Sequence, residues 1–109
     1  MRDEEQDKRM AVATTILSQL GGHKFVVMTG ARDMMALDNG LRFRLPGGAG
    51  FCRQGINLVR ITLEDSDTYS VAFQRVRGQT VKTISEHVDI YDDGLRALFT
   101  AETGLDTHL

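Results

Sequence analysis

Disulfides are excluded first: the 109-residue chain has a single cysteine, Cys52, so no intramolecular bridge holds it together. A lone thiol suits a reducing compartment. No apolar run approaches the ~20 residues of a membrane-crossing helix. Residues 1–9 are charged where a secretory signal needs an apolar core. A cytoplasmic location and no membrane partner are therefore expected. Strong net charge is also missing, with a formal −2 and a pI near 5.9, so nothing global drives the chain to nucleic acid or an acidic surface. The content of 41% apolar and 26% charged residues lies away from the composition of disordered chains. The length suits one domain over 1–109, with a charged N-terminal extension at 1–9.

The charge that is present is unevenly placed. Residues 1–40 sum to −1, residues 41–83 to +4 and residues 84–109 to −5. The middle is basic and the end acidic.

Met10, Ala13, Ile16, Leu17 and Leu20 recur at helical spacing behind three acidic residues and stop at Gly21-Gly22, which predicts a helix over 4–20. Residues 24–30, Lys-Phe-Val-Val-Met-Thr-Gly, are short, β-branched and apolar, as a strand buried on both faces would be. Apolar runs at 34–37 and 41–45 flank Asp38-Asn39-Gly40, and Asn-Gly between such runs predicts a hairpin. Residues 46–55 are too glycine-rich to hold an element and read as a flexible loop. Strands follow with Val59, Ile61 and Leu63 on one side, then Tyr69, Val71 and Phe73, then residues 80–84. Past Ser85, a predicted N-cap, Val88, Tyr91, Leu95, Leu98 and Phe99 step by three or four toward Gly104 as a last helix. The expected fold is α+β: a five- to six-stranded antiparallel meander with an N-terminal and a C-terminal helix packed on one face.

Catalytic and metal motifs fail at named positions. Gly50 and Gly55 have P-loop spacing, but Ile56 and Asn57 stand where Lys and Ser/Thr belong, and Arg53 breaks a GxGxxG reading. Ser70 and Val76 occupy the sixth-position glycine and closing glutamate places of a calcium loop counted from Asp65. His23, His87 and His108 form no chelating pair, so neither a metal nor a cofactor is expected. An enzyme built around Cys52 or His23 is the least favoured alternative.

One constellation remains. Arg42 and Arg44 alternate with Leu41, Phe43 and Leu45, and Arg60 lies opposite Val59 and Ile61 in its strand. With Gln74 and Lys82 they are expected on the sheet face away from the helices, where arginines take phosphate or carboxylate. No aromatic ring occupies these outward positions, and the chain has no tryptophan, which disfavours stacking of single-stranded bases. Asp89, Asp92 and Asp93 are expected as an acidic patch on the last helix.

Thr15-Ile16-Leu17, Leu20-Gly21-Gly22-His23-Lys24-Phe25, Met28-Thr29-Gly30-Ala31 and residues 98–105 (Leu-Phe-Thr-Ala-Glu-Thr-Gly-Leu) together resemble a small protein family met mainly in phages, prophages and plasmids. The resemblance implies a mobile-element setting and transfers no activity, cofactor or catalytic residue. By analogy with other small proteins of such elements, the expected role is binding without catalysis. Its partner would be a host or phage protein in a defence or nucleic-acid-processing complex, or nucleic acid held by its phosphates. An open sheet face also admits a homodimer.

Overall fold

A computed structural model of the chain describes residues 2–46 and 52–105. Helix α1 (Arg2–Leu20) leads into a second helix α2 (His23–Thr29). Five strands follow: β1 (Arg32–Leu37), β2 (Gly40–Arg44), β3 (Leu58–Leu63), β4 (Tyr69–Arg77) and β5 (Thr80–Ile90). Helix α3 (Leu95–Thr103) comes last. The strands lie in sequence order in one antiparallel sheet, the expected meander. Both terminal helices cover the same face, whose residues Leu41, Phe43, Val59, Ile61, Val71 and Phe73 are buried. The other face is open.

Two sequence expectations about elements are corrected. Residues 24–29, expected with Gly30 as a strand, belong to helix α2, and Gly30 caps it. Gly21 and Gly22 have φ of 131° and 63°, a bend that ends α1 and lets a new helix start at once. Phe25 and Thr29, four residues apart, share the buried side, while Val27 is 65% exposed, so the segment is buried on one face only. Thr29 Oγ1 donates to the Phe25 carbonyl at 2.8 Å and accepts from Ala31 N–H at 3.2 Å, closing the helix end.

The last helix begins at Leu95, nine residues later than a cap at Ser85 predicts. The segment 85–90 belongs to β5, which pairs with β4 as far as Tyr69↔Ile90. Val88 and Tyr91 are each 66% exposed, and only Leu95, Phe99 and Thr103 form a buried stripe. The β-branched content of 80–90 and a long antiparallel partner outweigh an accidental helical period. Ser85 is thus a strand residue.

The charged stretch at 1–9 is helical from Arg2 onward and forms the first turns of α1, which starts two residues before the expected helix over 4–20. Arg9 pairs with Asp38 at 2.8 Å. Of the glycine-rich loop, residues 47–51 lie outside the described residues. Its far end is packed rather than loose: Cys52 and Ile56 are buried around a 3₁₀ turn at Arg53–Gly55.

The core is knit by three phenylalanines from three elements. Phe25 of α2 meets Phe43 of β2 edge-on at 5.4 Å and Phe99 of α3 at 5.0 Å. Ile16 and Leu20 of α1 close over them, fully buried. Tyr69 Oη donates to Gln19 Oε1 at 2.7 Å, fastening α1 to β4.

Candidate anion-binding face

The open face is set by strand register. Leu37, Gly40, Thr62 and Ser70 stand side by side across β1 to β4. The next row runs Met35, Arg42, Arg60, Ala72 and Glu86. The third runs Arg32, Arg44, Leu58, Gln74 and Thr83. Gly40, Thr62, Ser70 and Ala72 are small, so the surface between the arginines is shallow.

Arg42 and Arg60 are therefore direct cross-strand neighbours, and so are Arg32 and Arg44. Directly opposed residues sit about 5 Å apart at Cα, and successive rows about 7 Å apart along the strands. Like charges at such positions destabilise a sheet. Among the described residues no carboxylate lies within 4.0 Å of any of these four guanidinium groups. Arg42 Nη2 donates to the Met35 sulfur, at 3.3 Å. The structure thus brings Arg42, Arg44 and Arg60 together as expected.

Arg32 is an addition that simple counting would miss. Stepping outward from the Leu37↔Gly40 pair puts Asp33 opposite Arg44, an ordinary ion pair. Asp33 instead adopts φ 53° in a bulge, and Arg32 takes its place.

Lys82 is corrected. Gln74 pairs with Thr83 but Phe73 with Ser85, so Ile84 is an extra residue that inverts the alternation of β5. Lys82 lies opposite Arg75, on the side of the sheet that carries Phe73. This is a third like-charged cross-strand pair. Gln74 stays on the open face and donates to Thr83 Oγ1 at 3.2 Å.

The acidic residues do not form a helix face. Asp89 is in β5 with φ 57°, and Asp92 and Asp93 form a 3₁₀ turn before α3. With Glu64, Asp65 and Asp67 of the β3–β4 turn they crowd one end of the strands. Arg32, Arg44, Arg77 and Lys82 mark the other end. Apart from Asp33 in the β1 bulge, the charges at the two strand ends are segregated by sign.

A second polar cluster joins β5 to α3. Ser85 Oγ donates to Glu102 Oε1 at 2.8 Å, and His87 Nε2 bonds the same oxygen. A serine, a histidine and a glutamate meet, but the hydroxyl is directed at the carboxylate and not at the imidazole, so the histidine does not activate it. These two bonds favour the ionised form and hold the Glu102 carboxyl below its usual pKa. The stability they supply is present above the ordinary carboxylate range and is lost as pH falls through the lowered value. Glu102→Gln should therefore flatten the acid limb of a stability profile. The effect at neutral pH should be about 1 kcal/mol or less, because the contact is partly exposed. Urea midpoints measured at neutral and acid pH check this; parallel profiles for the two proteins would overturn it.

Arg53 closes α3 from below, donating to the Ala101 carbonyl at 3.0 Å at the negative helix end. Cys52 is 5% exposed, and burial pushes its thiol up to about 11, so it is protonated at neutral pH. His23 is exposed at the start of α2. Among the described residues no group of His, Cys, Asp and Glu is arranged to hold a metal ion, and no helix is long and apolar enough to cross a membrane. Comparison of the chain with protein-family models, curated proteins and solved structures finds no match.

Proposed function

We propose that this is a non-enzymatic, cytoplasmic binding protein of a phage or other mobile element, which presents its open sheet face to an anionic macromolecule. A component of a host defence or nucleic-acid-processing complex is the expected partner. The carrying observation is the pair of arginine couples, Arg42↔Arg60 and Arg32↔Arg44, that oppose each other with no carboxylate of the described residues within 4.0 Å. That arrangement is unfavourable in the free protein and becomes favourable when an anion lies across it, each guanidinium offering a planar fork of donors. Two copies stacked on this face would set arginine against arginine, so an anion suits it better than a second copy.

Retention on immobilised heparin tests the reading. A protein of net charge −2 should nonetheless be held at low salt, and Arg42→Glu/Arg44→Glu should pass through unretained. The same change replaces two repulsive cross-strand pairs by attractive ones, so the variant should be more stable by about 0.5–2 kcal/mol. Wild-type and variant proteins eluting together would overturn the reading.

A further inference from the structure

Resting on that reading, we infer that the anion is the phosphate backbone of duplex DNA and that the tip of the β4–β5 hairpin enters its major groove. The pairing of β3 with β4 ends at Leu58↔Gln74, but β4 and β5 continue together through Arg75↔Lys82, Val76↔Val81 and Arg77↔Thr80. Three further residues at about 3.4 Å each carry the two strands about 10 Å beyond the last β3 pair; Asn57 flanks Val76 and the turn at Gly55 lies against Arg75, so the free tip is the Arg77↔Thr80 pair and its turn. The DNA major groove, about 12 Å wide and 8.5 Å deep, admits such a ribbon.

The ribbon is built to stand in water. Residues 77–83 are all exposed. Gly78, first of the two turn residues, has φ 58°, the tight-hairpin pattern whose twist matches the strands. Asn57 stiffens the base: its side chain donates to the Val76 carbonyl at 3.0 Å and accepts from Val76 N–H at 2.8 Å, continuing the ladder where β3 has stopped. Arg75, Arg77 and Lys82 give the ribbon three positive charges on the side that carries Phe73, so that with the arginine couples cations stand on both sides of this end, and residues 75–85 contain no acid. Among the described residues none of the three has an ion-pair partner.

The ribbon leaves the sheet at the end where Arg32 and Arg44 stand, with Arg42 and Arg60 one row behind. A duplex crossing that end would take the ribbon in its groove and the arginine couples on its flanking phosphates. The acids at the far end, Asp65, Asp67, Asp92 and Asp93 among them, repel phosphate and leave one orientation. Single strands are disfavoured because the face offers no ring to stack on, and duplex RNA because its major groove is too narrow.

Fluorescence anisotropy with a labelled DNA duplex of about two helical turns tests the inference, with the matching single strand, an RNA duplex and polyglutamate as further probes. The wild-type protein should bind the DNA duplex most tightly, log affinity falling with log salt by about 0.9 per phosphate contacted. Arg77→Glu/Lys82→Glu should weaken duplex binding at least about tenfold and lower that slope by about 2. Both side chains are exposed, and Lys82→Glu turns the like-charged Arg75↔Lys82 pair into an attractive one, so a thermal midpoint no lower than that of the wild type separates this from unfolding. Equal binding by the ribbon variant, or tighter binding of single strand or duplex RNA, overturns the inference. Polyglutamate bound in preference to the duplex overturns it too but leaves the anion-binding face standing. If no probe binds, both fall.

Discussion

Gly40→Ala is expected to lower stability by about 3 kcal/mol or more, at the upper end of overpacking effects. A β-carbon at Gly40 would stand 2.0 Å from the Ile61 carbonyl oxygen and 3.1 Å from Ile61 C and Thr62 Cα. All three are backbone atoms of β3, so no rotamer change relieves the clash. Strand β2 would have to leave β3 at the Gly40↔Thr62 pair, in the middle of the meander. Burial of Leu41 and Phe43, the next inward residues of β2, depends on that pairing. Urea denaturation should show a lower midpoint with little change in slope. An unchanged midpoint would mean that the two strands do not approach so closely. Gly40 also lies in the row beside Arg42 and Arg60, so the small residue that permits the strand approach keeps the arginine surface shallow.

This glycine shows how a correct sequence reading can hold for a different reason. Asp38-Asn39-Gly40 does make the hairpin, but neither Asn39 nor Gly40 has positive φ, and the loop is Asp38-Asn39 with Leu37 paired to Gly40. The glycine is required by a neighbouring strand and not by the turn. Local patterns that state burial were legible: Val59, Ile61, Tyr69, Val71 and Phe73 all point into the core as their alternation says. Periodicity misled where a segment is short or irregular. Residues 24–30 have the composition of a buried strand, yet two preceding glycines let them turn as a helix. In β5 the helical spacing of Val88, Tyr91 and Leu95 spans a strand, a 3₁₀ turn and a helix.

The candidate site was legible only in part, for one physical reason. Strand alternation places Arg42, Arg44 and Arg60 correctly because β2 and β3 pair without irregularity. Bulges decide the remaining positions. One at Asp33 brings Arg32 to Arg44, and one at Ile84 moves Lys82 to the opposite face. A single extra residue reverses every side chain beyond it, and a sequence carries little sign of where that residue will be. The ribbon likewise depends on where β3 stops, which Asn57 marks only once its side chain is seen bonded to Val76.

Phe99→Ala should produce the second large effect, a loss of about 3–5 kcal/mol. Its ring is fully buried between Phe25 and Phe43, at 5.0 and 6.2 Å. Truncation removes apolar contact from α2, β2 and α3 at once, and neighbours held by three separate elements cannot collapse into the space. Against a total stability of about 5–15 kcal/mol for a domain of this kind, the variant should be marginal. Thermal denaturation measures the size of the loss, and amide hydrogen exchange shows where it falls. If the trio is the joint that unites the layers, protection should drop together in α3 and in the central strands. Exchange that rises in α3 alone would show instead that the helix is held by Leu95, Thr103 and the Glu102 bonds as a separate unit. The arginine rows lie on the other side of the sheet from Phe99, so the folded fraction should keep its wild-type affinity for a polyanion. Stability and binding should therefore separate, the first lost through Phe99 and the second through Arg42 and Arg44.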